Sequence, residues 1–379
     1  MASPDTILSV KDSRFEFLDG LRGLVAFTVT VCHFLGVSSA GQQIPRAYLG
    51  VDFFFVLSGF IIAFVYERRL IAGLSPGAFI TQRIIRLYPM IFFGSAIGYL
   101  MSGESANVFT AALSALCIPY IFNPPHPFNV FPLNGPLWSM FFEAIANLIF
   151  CLGAWRLRSS TLAATVLLSW GAMALALSWY HTINTGYTNE NIIGGLPRVY
   201  LAFFSGVLTW RWRRGRFPML GQRYAAVVTV ALLSVFCFPV LIDGNEIIEF
   251  IMVTLLMPVL VLTSSLVRVR GTVAKLCAAS GDMSYPLYLI HFPVVILMHP
   301  LLASVSPEIS IYISIGLSFL MALLAYIVFC WIDQPLRNLM NRRMRVRNSL
   351  TVPSFRVVAS INICIINLKV LYNKIPGPA

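Results

Sequence analysis

With 379 residues, 58% of them hydrophobic and only 11% charged, the chain falls far below the roughly 25% charge of soluble domains, which excludes a soluble globular protein. The formal charge of +12 does not point to nucleic acid, because the basic residues gather between apolar stretches, where the cytoplasmic loops of membrane proteins carry them. Cys32, Cys117, Cys151, Cys237, Cys277, Cys330 and Cys364 are scattered, with no CxxC and no Cys/His ligand spacing, so neither a structural disulfide nor a metal site is expected.

In chain order, apolar stretches near 17–37, 49–66, 84–101, 107–122, 137–155, 161–180, 196–212, 223–242, 247–267, 283–301 and 309–331 approach the roughly 20 residues of a membrane span. A cleavable leader is not expected, because the N-terminal residues are polar and the first apolar run is long. Lys and Arg collect at Lys11 and Arg14, then at 68–86, 156–158, 211–223, 268–275 and 337–347. The stretches 181–196, 242–249 and 301–308 carry none, and 38–48 carries only Arg46. Basic and non-basic loops thus alternate, as the positive-inside rule requires. The clusters at 83–86 and 156–158 should share the cytoplasmic side, yet three apolar stretches lie between them, so one of those does not cross.

The stretch 107–122 is the shortest of the three, and the proline-rich IPYIFNPPHPFNVFPLNGP follows it, where a regular helix cannot run. Irregular backbone at membrane depth is tolerated only when buried in protein or lining a cavity. The chain therefore reads as an all-α polytopic membrane protein, a bundle of about ten transmembrane helices with one re-entrant or capping segment near 107–136. Both termini fall on the cytoplasmic side. Residues 12–340 form the membrane domain, and 341–379 form a tail, basic and then moderately apolar.

Ionisable residues inside spans are rare and usually face a cavity or a partner. LDGLRGLVAFTVTVCHF (18–34) sets Arg22 and His33 eleven residues apart, which returns to within about 20° of one helix face, about 16 Å further along. Arg22 falls near the headgroups and His33 deep in the membrane, with Asp19 one turn before Arg22 and able to pair with it. An interfacial anchor would explain Arg22 equally well, and a single interhelical hydrogen bond would explain His33. GVDFFFVLSGFIIAF (50–64) carries Asp52 at the outer end of the second span and Ser58-Gly59 within it, on a different face.

Arg83 and Arg86 in TQRIIRLYP sit one turn apart, either as topology anchors or as a clamp for a phosphate-bearing ligand. NGPLWSMFFEAIANLIF (134–150) places Trp138 and Glu143 on one helix, and a carboxylate at that depth needs a partner such as His33 or an Arg. GDMSYPLYLIHFPVVIL carries Tyr285, Tyr288 and His291, and WIDQPLRNLMNRR pairs Asp333 with Arg337 at a helix end.

Jointly these motifs resemble the acyltransferase 3 family, membrane enzymes that O-acylate bacterial surface carbohydrates. The resemblance rests on FLDGLRGLVAFTVTVCHF, GVDFFFVLSGFII, RIIRLYP, PLWSMFFE, SYPLYLIHFPV and the closing DQP–R, in the family's order from residue 15 to 337. It implies a ten-helix bundle in the bacterial cytoplasmic membrane, with acyl-CoA (most often acetyl-CoA) as co-substrate and no resident cofactor. The implied acceptor is a carbohydrate hydroxyl on a polysaccharide, lipopolysaccharide or glycolipid, with the lipid bilayer as the other partner.

The resemblance maps the family's essential histidine onto His33 and its basic partner onto Arg22. The RxxR pair maps onto Arg83 and Arg86, and the helix carboxylate onto Glu143. In roles, the three arginines hold CoA phosphates, His33 acts as general base or acyl-accepting nucleophile, and Glu143 orients it. Asp19, Asp52, Ser58, Trp138, Tyr288 and His291 support the site. The chain lacks the Glu-Gln-Phe-Tyr run many members carry after the first Glu, and Asp333 replaces a Glu; no soluble extracellular domain is expected. The rival class is a transporter or flippase for a lipid-linked sugar or acylated metabolite, whose inverted internal repeats are not found here.

Overall fold

The computed structural model describes residues 15–41, 44–102, 107–121, 129–238 and 245–351, with side chains to 344. Residues 12–14 of the expected membrane domain, 122–128 of the proline-rich segment and the tail beyond 351 lie outside the described residues. The described chain is helical, with one isolated bridge between Leu220 and Val267. It divides into 1–333 and 334–379. In the first unit the helices are α1 (Glu16–Gly36), α2 (Gly50–Ile71), α3 (Pro76–Met101), α4 (Val108–Ala115), α5 (Leu137–Leu152) and α6 (Ser159–Tyr180). They continue with α7 (Gly195–Arg213), α8 (Tyr224–Cys237), α9 (Asn245–Ile251), α10 (Met257–Leu266), α11 (Gly271–Ser304) and α12 (Pro307–Val328). A π-helical turn, Met252–Leu256, joins α9 to α10, and another, Phe329–Asp333, follows α12. The second unit contains α13 (Gln334–Thr351).

Among the described residues, eight helices are long and apolar enough to cross a membrane; α9 and α10 count together as one span, Asn245–Leu266. The protein is a multi-pass membrane protein. Two of the expected spans, α5 and α8, are apolar but shorter, at 16 and 14 residues. Among the described residues of the stretch 107–122, only the eight of α4 are helical, about 12 Å of axis, far short of the hydrocarbon thickness.

Helix ends depart from the hydropathy pattern where local chemistry overrides it. Ser75 caps α3, its side chain accepting from the Ala78 amide with Pro76 in the first turn, so this helix begins eight residues before the apolar stretch at 84. α11 begins twelve residues before the expected 283, because TVAKLCAASGDM is a good helix former although weakly apolar. Pro286, Pro293 and Pro300 lie inside α11. Pro293 has no N–H for the Leu289 carbonyl, and Asn134 Nδ2 donates to that oxygen instead at 2.8 Å.

Two seams organise the core. Gly59 of α2 faces α7 so closely that an added Cβ would lie 1.8 Å from the Phe203 carbonyl oxygen. Gly23 of α1 faces α11, where a Cβ would lie 2.1 Å from Ser280 Oγ. Small residues at such contacts let backbones approach, the usual basis of helix association in lipid. Along the second seam Arg22 meets Ser284 and His33 meets His291, so α1 and α11 run parallel.

Candidate active site

α1, α2, α3, α5 and α11 line a partly open cavity of about 160 Å³. Arg22, Arg83, Arg86, Glu143, Ser58 and Ser284 supply most of its polar lining, while Phe54, Phe55, Leu57, Ile61, Ile62 and Met140 supply much of its apolar lining. Tyr285 and Tyr288 of α11 also line it.

All three sequence-selected arginines therefore meet in one cavity. Arg22 is pinned: Nε donates to Ser284 Oγ at 2.9 Å, Nη2 to the Gly281 carbonyl at 2.7 Å, and Asp19 Oδ1 lies 3.1 Å away. Arg83 Nη2 donates to Glu143 Oε1 at 2.8 Å, and Ser58 Oγ donates to the same oxygen at 2.6 Å. Both charges of that pair keep 16% side-chain exposure. Arg86, one turn on from Arg83 and part-buried, forms no ion pair among the described residues, which leaves its charge to the cavity.

This arrangement corrects the role expected of Glu143. Its partners are Arg83 and Ser58, and His33 takes a different one. His33 Nδ1 lies 2.9 Å from His291 Nε2, with the rings stacked at 5.1 Å and 23° and the Phe292 ring edge-on to His33 at 5.4 Å. His291 is fully buried, and its Nδ1 lies 2.9 Å from the Leu287 carbonyl. His33 is part-buried in the last turn of α1, three residues from its end. The His pair does not line the cavity, but Tyr288 does, and its ring centre is 6.1 Å from that of His291. The Tyr288 hydroxyl shares a 2.8 Å hydrogen bond with Ser139 Oγ.

Asp52 belongs to another constellation. Arg198 of α7 grips it bidentately, Nε to Oδ1 at 2.9 Å and Nη2 to Oδ2 at 2.7 Å, with side-chain exposures of 1% and 0%. Arg198 Nη1 also donates to Asn184 Oδ1 and to the Thr185 carbonyl, and the Trp138 ring lies 5.2 Å from its guanidinium carbon. Trp138 thus packs on this ion pair, edge-on to Phe55 and Phe142. Sequence reasoning missed Arg198. The available signal was a lone Arg in the apolar run GLPRVYLAF, facing a carboxylate that had no stated partner. It also missed Ser139 and Ser284, whose hydroxyls hold Tyr288 and Arg22.

The family model described as an acyltransferase domain matches residues 15–339, and every candidate residue above falls inside that match. The chain belongs to the acyltransferase 3 family. The enzyme is accordingly an acyltransferase. A Rhizobium radiobacter protein named protein 2 in the picA locus is 30% identical over 189 residues, 44% of this chain and 94% of its own. The peptidoglycan O-acetyltransferase OatA of Listeria monocytogenes is 24% identical over 364 residues, covering 84% of this acyltransferase and 55% of the Listeria protein. The exopolysaccharide production protein ExoZ of Rhizobium meliloti is 25% identical over 276 residues, 68% of this chain and 80% of its own. This acyltransferase thus spans little more than half the length of the Listeria relative. No solved structure matches.

Proposed function

We propose that this acyltransferase moves an acyl group, acetyl in the first instance, from acyl-CoA on the cytoplasmic side to a hydroxyl of a cell-surface or exported carbohydrate. In this reading it resides in the bacterial cytoplasmic membrane with both termini inside. The carbohydrate acceptor draws its support from two relatives whose names concern peptidoglycan O-acetylation and exopolysaccharide production.

The observation that carries the donor is the polarity of the cavity. Three guanidinium groups and a single carboxylate share it with aliphatic and aromatic walls. That suits a molecule with phosphates at one end and an uncharged pantetheine arm at the other. Arg86, with no ion pair of its own among the described residues, is the primary phosphate ligand. Arg22 and Arg83, each already held by a carboxylate, add fixed donors. Prearranged charges cost little to reorganise when the polyanion arrives.

His33 is the general base. The acceptor oxygen attacks the thioester carbonyl while its proton passes to the imidazole; the C–S bond breaks, and the CoA thiolate takes that proton from the imidazolium. The products are an O-acyl ester and free CoA. Glu143 serves Arg83 in this scheme, holding the guanidinium in place.

Cells fed labelled acetate test the reading. Wild type, a deletion strain and His33→Ala at matched membrane level are compared for alkali-labile label on the surface carbohydrate. Label lost from both variants is the expected result. Equal label in wild type and His33→Ala would remove His33 as the base, and full label in the deletion would exclude O-acetylation of that glycan by this enzyme.

A further inference from the structure

We infer that His291 is a positioning residue that fixes the ring tautomer of His33, so that the free lone pair of His33 is on Nε2. The inference rests on the reading of His33 as the base, and its geometry comes from the contact of α1 with α11. The Leu287 carbonyl, one turn before His291, lies 2.9 Å from His291 Nδ1. A carbonyl only accepts, so that Nδ1 carries the hydrogen. Neutral His291 then presents an unprotonated Nε2 to His33 Nδ1 at 2.9 Å, and a contact of that length needs one hydrogen, which comes from His33. With Nδ1 of His33 donating, Nε2 is left as the basic nitrogen of its neutral ring.

No other group competes for the task among the described residues. The carboxylates of Glu143 and Asp52 are engaged elsewhere, the first by Arg83 and Ser58 and the second by Arg198. The Tyr288 hydroxyl is taken by Ser139, and Phe292 offers only a ring edge. His291 is wholly buried, so water does not replace it.

An imidazole here does what a carboxylate does in hydrolase triads, without placing a negative charge at membrane depth in the resting enzyme. When His33 takes the acceptor's proton at Nε2, its Nδ1–H still points at the His291 lone pair, which stabilises the imidazolium. When the proton leaves for the thiolate, the original tautomer is restored. Without His291, the ring is free to carry its hydrogen on Nε2, and the base is then turned away from the reaction.

The test uses the full chain in lipid nanodiscs with 15N-labelled histidine. The sequence has five histidines, and subtraction of a His33→Gln spectrum isolates the ring of interest. Wild type should show His33 protonated on Nδ1 and bare on Nε2. His291→Met should lose that state and lower transfer by about 10²-fold or more, in line with the cost of a wrong tautomer in a hydrolase triad. His291→Gln places a carbonyl oxygen near the position of Nε2, and should keep both the tautomer and transfer within about tenfold.

Three results would overturn the inference: Nε2–H on His33 in wild type, a tautomer unchanged by His291→Met, or equal loss of transfer in the Gln and Met variants. His33→Ala with wild-type turnover would instead remove the base reading, while the spectra would still decide the tautomer.

Discussion

Two of the Arg–carboxylate pairs in the helical domain do opposite work. Asp52 and Arg198 are sealed, at 0% and 1% exposure, bidentate, and completed by Asn184 and Thr185. Glu143 and Arg83 retain 16% exposure each, share a cavity with Arg86, and use a single carboxylate oxygen for both Arg83 and Ser58. The first pair has no room for a ligand and ties α2 to α7. The second is partly solvated and has spare charge beside it. Charge in a membrane helix is therefore not informative by itself. What separates structure from function is whether the pair is closed by its own neighbours or faces a space where a third charge waits.

The comparison is sharpened most by breaking the sealed pair. Asp52→Ala or Arg198→Ala leaves one buried charge unpaired, and should cost about 3–5 kcal/mol, seen as loss of folded protein from detergent extracts. A variant that folded normally would undo the contrast. Glu143→Gln is the matching change at the open pair, where the charge is partly solvated. Its stability should shift by about 1 kcal/mol or less on thermal melting, while transfer falls because Arg83 is released.

The His pair supplies the next effect. His33→Ala should reduce transfer about 10²- to 10⁴-fold with the melting temperature held, since a positioned base contributes that much. Gly59→Ala should be smaller and purely structural, about 1–3 kcal/mol of stability, because the new methyl meets the Phe203 carbonyl and the helices must part. Unchanged melting in that variant would mean the α2–α7 seam yields more easily than its spacing implies.

The outline of this architecture was legible in one dimension. Apolar runs of span length announce helices because lipid tolerates little else, and the loop charges and the proline-rich segment together singled out 107–122 as the stretch that does not cross. The Arg22–His33 spacing and the pairing of Arg83 with Arg86 also read correctly as residues of shared faces, since a helix fixes them locally.

What failed was partnership across the chain. His33 finds His291 258 positions away, and Asp52 finds Arg198 146 positions away. Only the parallel packing of α1 on α11 and the close approach of α2 to α7 create those contacts, and no local period encodes them. The partner of Glu143 stayed open between His33 and an Arg for the same reason: a buried carboxylate demands a counter-charge, but not a particular one. The start of α11 was missed because weakly apolar helix formers look like loop to a hydropathy argument.

If the open constellation holds the acyl donor, Arg86 carries the largest share of that binding. Acetyl-CoA binding should be measured by calorimetry on the full chain in nanodiscs, for wild type and Arg86→Ala. Loss of one charge-assisted phosphate contact is worth about 1.5–3 kcal/mol, so affinity should fall about 10- to 100-fold with thermal stability unchanged. Wild-type affinity in Arg86→Ala would contradict the account, and the donor would have to be held elsewhere.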